Sequence, residues 1–152
     1  MVITHAENNP ERYQSTRALI ELISFYDELE DDLVMHFARY NLSRAKFNAL
    51  IQLFMVSDQG LTQSELSKKM LVSRANITGL IDRLEKEELV VRKTDAADKR
   101  VFKLCLTDKA ILLMNSFIPI HNNYVHKIMS ALNREEKDML ISLLAKLKKR
   151  LE

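Results

Sequence analysis

Two helix-starting signals lie only eleven residues apart in this chain, at Thr62 and Ser73, and that spacing constrains the fold more than any other feature. Thr62-Gln63-Ser64-Glu65 is a capping box: the threonine hydroxyl accepts from the Glu65 amide and the glutamate reaches back to the Thr62 amide. It predicts a short helix with Leu66 and Met70 inward, ending near Leu71. Val72 then leads straight into Ser73, a good N-cap. A short helix, a connection of about three residues and a second helix make the helix-turn-helix arrangement.

The second helix is amphipathic. Ile77, Leu80, Ile81 and Leu84 follow the i, i+3, i+4, i+7 spacing of one buried stripe. The opposite side carries Ala75, Thr78, Gly79, Asp82, Arg83 and Lys86, flanked by Arg74 and Asn76. A helical glycine costs about 1 kcal/mol relative to alanine, and close approach of another surface would account for Gly79. The free N–H groups just after Ser73 suit a phosphate, and Arg74, Asn76 and Thr78 are able to read base edges or hold phosphates. On this segment alone, an ordinary surface helix whose polar face meets water stays open.

The residues C-terminal to this helix narrow the choice. Leu89-Val90-Val91 and Val101 to Leu106 are short strand-like runs on either side of Asp95-Ala96-Ala97-Asp98-Lys99-Arg100, a connection of hairpin length that is basic at its end. The whole reads as a winged helix-turn-helix. Helix 73–87 is placed for the major groove of double-stranded DNA, and tip 95–100 for the neighbouring minor groove.

The remaining segments are helical. With 2 Gly and 2 Pro, the chain has material for long helices and few loops. Asn9-Pro10 reads as a cap with proline at the first helical position, opening a helix over roughly 10–40. Its apolar set runs from Leu19, Ile20, Leu22, Ile23, Phe25 and Tyr26 to Leu29, Leu33 and Phe37. Residues 43–57 form a second helix with Phe47, Leu50, Ile51, Phe54 and Met55 inward, ended by Asp58-Gln59-Gly60. Thr107 caps a long helix to about Leu132, which Pro119 is expected to interrupt and kink. Asn133 to Glu136 is a second capping box, opening a last helix through Leu140, Leu143, Leu144, Leu147 and Leu151.

The expected fold class is therefore mostly α with a small β-hairpin wing. Residues 43–107 form the reader, and 1–42 with 108–152 form a helical dimerisation region. A leucine stripe of this length needs burial. Within one subunit the first and third long helices are available, but a second subunit is the better sink. A two-fold dimer would set two reading helices about 34 Å apart and favour an inverted repeat.

Charge agrees with this division. Residues 1–42 carry 3 basic and 8 acidic side chains, and residues 61–107 carry 10 and 7, so phosphate would meet the middle of the chain. No charged-then-apolar leader and no run of 18 apolar residues is present, so the expectation is a cytoplasmic protein with no membrane partner. Cys105 is the lone cysteine. With Phe102, Leu104 and Leu106 on the opposite strand face, Cys105 is expected to be partly exposed, as an inert packing residue rather than a redox centre. His121 and His126 are five apart, off the spacing that sets two ligands on one helix face, although His36 could approach them; no metal site and no cofactor are expected. No phosphate loop, nucleophile motif or carboxylate pair stands out, and the acidic run from Asp27 to Asp32 reads as a solvated face. The chain is not expected to be an enzyme.

Taken together, these residues resemble the MarR family of bacterial and archaeal regulators. The resemblance is carried by SRANITGLIDRLEKEELVVR, by the D-A-A-D-K-R tip and by Leu106-Thr107-Asp108-Lys109-Ala110, and it covers nearly the whole chain. It implies a homodimer that binds a pseudo-palindromic operator, most often as a repressor, and in many members releases it when a small phenolic or other lipophilic effector binds. Carried over residue by residue, DNA contacts fall on Ser73, Arg74, Asn76 and Thr78, with Thr62 and Gln63 at the start of the preceding helix. Arg100 would enter the minor groove beside Lys99, and Asp98 would orient it or bridge the wing to the reading helix. Arg83 would serve the framework or a phosphate. An effector would lie where dimer layer meets reader, near Tyr40, Phe54, Met55, Met114 and Phe117, residues that serve equally well as plain core. Three positions depart from the family's habit: Glu88 and Ala110 stand where glycine is common, and Ala96 where proline is. Without a glycine, the end of the reading helix must close differently or carry a small strain. The rival reading is a protein-interaction module on the same scaffold, and steep salt dependence with duplex DNA separates the two.

Overall fold

A computed structural model describes residues 10–56, 59–95 and 98–151. Its elements, in chain order, are α1 (Pro10–Ala38), α2 (Arg44–Met55), α3 (Gln63–Met70), α4 (Arg74–Lys86), β1 (Val90–Thr94), β2 (Phe102–Leu106), α5 (Asp108–Met129) and α6 (Arg134–Lys148). Asn9, expected as the first cap, and Ala96 lie outside the described residues. α1 stops at Ala38, slightly short of expectation, because Asn41 turns left-handed and the Leu42 amide closes back on Phe37.

The capping chemistry follows the sequence. Ser43, Ser73 and Thr107 each accept from the amide three residues on, and Thr62 and Asn133 form complete capping boxes. The hairpin is antiparallel, with Val90 opposite Leu106 and Thr94 opposite Phe102. Leu61 adds two backbone bonds to Leu104, at 3.1 and 2.7 Å, so the stretch before α3 extends the small sheet. Gly60 makes that approach possible. Its φ is +62°, and a Cβ there would lie 2.7 Å from both the Cys105 Sγ and the Leu104 carbonyl oxygen.

One core holds the reader together. Leu50 and Leu53 of α2, Leu66 of α3 and Ile77, Ile81 and Leu84 of α4 are fully enclosed, with Met114 and Phe117 of α5 at its edge. The apolar stripe predicted on α4 is the one that is buried. Outside the reader the picture reverses. α6 buries no residue, and Leu19, Ile20, Leu22, Ile23, Phe25 and Tyr26 of α1 are all exposed, so intrachain packing does not cover these stripes.

Three residues depart from expectation. Pro119 does not interrupt α5, which runs unbroken through it. Pro119 and Asn115, whose carbonyl loses its usual partner to the ring, are both exposed, so water serves the orphaned oxygen while Met114 and Phe117 anchor the inner face. Cys105 is buried at 4% exposure, because the missing side chain of Gly60 leaves room for its sulfur, and Phe102 is the exposed residue of that strand. Met55 faces solvent at 75% exposure, since α2 ends there and the core lies on its Leu50–Leu53 side.

The reading helix closes on Glu88. This residue adopts φ +59°, while the Glu88 amide donates to Glu85 and the Leu89 amide to Leu84, both at 2.9 Å. The result is a Schellman closure built on a non-glycine residue. Glu88→Gly is expected to raise the unfolding free energy by about 1 kcal/mol in urea titration, by removing left-handed strain. An unchanged or lower stability would mean that the 3.6 Å pairing of Glu88 with Lys109 outweighs the strain.

Candidate nucleic-acid interface

α3 and α4 are tied into one unit at the surface where a duplex would lie. Gln63 donates through Nε2 to the Thr78 hydroxyl at 2.6 Å, and that hydroxyl donates to the Arg74 carbonyl at 2.8 Å. The Thr78 hydroxyl is thereby engaged within the protein as both donor and acceptor. Among the described residues the Gln63 amide oxygen has no hydrogen-bond partner. Ser73, Arg74, Asn76, Thr78 and Arg83 are all exposed, and Thr62 and Gln63 are half-buried at the start of α3. Hydrogen bonds from the Thr62 amide and then its hydroxyl hold Glu65 below the usual carboxylate pKa, so this cap stays charged and closed at neutral pH.

Gly79 lies midway along the outer face, and a Cβ placed on it would meet nothing within 4 Å. Nothing inside the subunit requires a glycine there. The left-handed residue Leu71, 92% exposed, makes the turn between the two helices.

At the wing, Asp98 Oδ1 accepts from the Arg100 amide at 2.9 Å and from Arg100 Nε at 3.4 Å. Of the two partners expected for Asp98, the contact seen is with Arg100. Asp98 aims the guanidinium outward, and the Arg100 side chain is 93% exposed. The tip is braced behind this pair by Asp95, which holds Lys103 at 2.7 Å and accepts from the Asp98 amide.

The bridge from wing to α4 is made by a residue that sequence reasoning missed. Arg92 on β1 bonds both carboxylate oxygens of Glu85 at 3.0 and 3.1 Å and approaches Asp82 at 3.6 Å. The Glu85 hydrogen bond raises the Arg92 pKa against partial desolvation. The only signal in the sequence is a pair of acidic residues three apart on α4, opposite a strand arginine. Lys46 and Lys109 were missed for the same reason. Lys46 grips both oxygens of Glu87 at 2.6 and 2.7 Å, and Lys109 donates to the Glu87 carbonyl at 2.8 Å. The C-terminal end of α4 is thus fastened to α2 and α5.

Of the five candidate effector residues, Tyr40 packs against Phe117 with ring centroids 5.0 Å apart, and Tyr40 and Phe54 lie against the core that holds Met114 and Phe117. Met114 and Phe117 are fully buried, and Met55 points to solvent. Tyr40 lines an open cleft of about 350 Å³, together with Asn41, Glu87, Leu89, Lys109 and Leu113. That cleft sits between the end of α1, the end of α4 and the start of α5. Among the described residues no group of three or more potential ligands gathers for a metal ion, and no helix is long and apolar enough to cross a membrane.

Comparison with known proteins agrees with this geometry. The model of the MarR family matches residues 42–102. The transcriptional repressor YetL of Bacillus subtilis is 32% identical over 137 residues, covering 90% of this chain and 82% of its own. Among solved structures, the Staphylococcus aureus MepR–DNA complex superposes with a TM-score of 0.74 at 24% identity, over 88% of this chain and 94% of that one. The organohalide-sensing regulator RdhR, bound to 2,4-dichlorophenol, gives 0.76 at 23% identity, over 90% and 80%. Two capped helices, an arginine-tipped hairpin and a repressor relative matched over 90% of this chain lead to one assignment: this chain belongs to the MarR family.

Proposed function

We propose that the chain is a DNA-binding transcriptional regulator, a repressor that grips an inverted-repeat operator as a homodimer and excludes polymerase from it. One observation carries the reading. Arg74, Arg83, Lys86 and Lys99, on the outer face of α4 and at the hairpin tip, have no ion-pair partner among the described residues, while Lys46 and Arg92 behind that face tie α4 to α2 and to the wing. Unpaired cations along the outer face of α4 and at the hairpin tip are suited to phosphates. Residues 43–107 act as the reader, and 1–42 with 108–152 as the dimerisation region. Binding rather than catalysis is the activity, and the cytoplasm is its place. YetL is itself named a repressor and MepR was solved on DNA, which supports the same reading.

Selection of sites from a random duplex library, at low and near-physiological salt, tests it. An inverted repeat that stays enriched at the higher salt is the expected result. Enrichment of nothing, with binding lost to salt, would favour a protein partner on the same face.

Gly79→Ala gives a sharper local test. Alanine has room in the free protein, so the variant gains about 1 kcal/mol of stability. Operator affinity is expected to fall all the same, because the added methyl occupies the space a duplex would fill. Equal affinity in a gel-shift titration would remove close approach as the reason for the glycine.

Release by a small aromatic effector is assigned to the Tyr40–Leu113 cleft. RdhR holding a dichlorophenol supports it, as does the cleft's contact with Glu87 at the end of α4. A thermal-shift screen with phenols and aromatic acids reads it out. Tyr40→Ala should abolish any shift, and a shift that survives would place the ligand elsewhere.

A further inference from the structure

One polar cluster joins α1 to α5 and takes no part in the DNA-facing surface. Asp32 and His36 lie one turn apart on α1, facing His121 and Tyr124 of α5. His36 Nε2 and His121 Nδ1 stand 3.2 Å apart, so one nitrogen donates and the other accepts. Tyr124 donates its hydroxyl to Asp32 Oδ2 at 2.7 Å and stacks on the His36 ring, with centroids 3.9 Å apart and planes 12° from parallel. Phe47 of α2 lies 4.7 Å from the His121 ring, and Phe117 lies 5.5 Å from that of His36.

Such surroundings suit two neutral imidazoles sharing one proton. A charged ring loses water here and gains mainly aromatic walls, and charging both rings sets two N–H donors against each other. The groups facing the pair leave this balance in place. On α1, Asp32 favours protonation of His36 and Arg39 opposes it. On α5, Tyr124 is pushed up to about 12, first by desolvation and then by Asp32, and stays neutral. α2 presents Phe47, which carries no charge. Both histidines fall below the ordinary value of 6.5, chiefly through burial.

We propose that His36 and His121 form an acid-sensitive clasp, docking α1 onto α5 while both rings are neutral and releasing it as they are protonated. Released rings titrate at the ordinary value and docked rings below it, so undocking takes up protons. Docking is therefore at full strength above about pH 6.5 and weakens as pH falls from there through the docked values. Each histidine held neutral when docked makes release up to about tenfold easier per pH unit in that window. The regulatory consequence rests on the regulator reading: α1 carries the apolar stripe assigned to the dimer, and α5 follows directly from the wing.

The test is amide-exchange protection, corrected for intrinsic rates, over residues 30–40 of the full chain at about pH 7.5 and about pH 5.5. Wild type is expected to lose up to about 100-fold in protection at the lower pH, and His121→Asn, which keeps a polar group near Nδ1 but leaves only His36 to be protonated, at most about tenfold. His36→Gln reads the same pair from the other side if the first variant folds poorly. Unchanged wild-type protection overturns the clasp, and so does an equal loss in wild type and variants. Operator affinity, measured in parallel, keeps the two readings apart. Acid-dependent docking in a protein that binds no operator at any pH would overturn the regulator and leave the clasp standing.

Discussion

Arg100→Ala is expected to weaken operator binding about 100-fold or more and to lower the salt slope by about one per subunit. At the wing tip, Asp98 holds the Arg100 amide and Nε and leaves the rest of the guanidinium to solvent. An arginine presented in this way, beside a helix already seated in a major groove, meets the narrow minor groove, where negative potential is concentrated. Each such contact contributes about 1–3 kcal/mol, and a dimer makes it twice. Stability is expected to be unaffected, because among the described residues the side chain bonds only Asp98 and is 93% exposed. Asn76→Ala serves as the contrast: it should change which base is preferred rather than remove affinity uniformly. Gel-shift or anisotropy titrations over a salt series read both variants, and wild-type behaviour in both would mean the groove assignments are wrong.

The parts of this molecule legible in the sequence are those set by local chemistry. The boxes at Thr62 and Asn133, the caps at Ser73 and Thr107, and the stripe Ile77–Leu84 depend on residues within one or two turns of each other, and they form as read. Exposure of Arg74 and Asn76 accords with the same periodicity. The contacts that escape a sequence reading are those between side chains on different elements. Arg92 meets Glu85 across a helix–strand corner, Lys46 meets Glu87 across 41 residues, and His36 meets His121 across 85. No spacing rule reaches such pairs. Cys105 departs from expectation for a related reason. Strand alternation sets its face, but its cover comes from Gly60, a residue that reads as the end of α2. Pro119 leaves α5 intact because a lost hydrogen bond on an exposed helix face is replaced by water and does not oblige the helix to end.

Ile23→Glu is expected to turn a dimer into a monomer at micromolar concentration and to lower operator affinity by about a thousandfold. Ile23 is half-exposed in the subunit, and Ile20, Leu22, Phe25 and Tyr26 around it are exposed as well, while α6 offers Ile141, Leu143 and Leu147 in the same condition. Large apolar side chains in rows on two helices exceed what a lone soluble subunit ordinarily leaves wet. Each isoleucine buried in an interface contributes about 1.5–3 kcal/mol, and two-fold symmetry counts every substitution twice. A carboxylate at the same point adds the cost of desolvating an unpaired charge. The reader's core is untouched, because it is built from Leu50, Leu66, Ile81 and their neighbours rather than from this part of α1. The variant therefore remains folded and loses affinity for a different reason: its two reading helices are no longer joined, and the second half-site must be found at bulk rather than effective concentration, a difference of about 10²–10⁴. Sedimentation velocity together with operator titration makes the comparison. A variant that stays dimeric would move the interface off this part of α1, and a wild type that is monomeric yet binds the full inverted repeat tightly would remove the need for a dimer altogether.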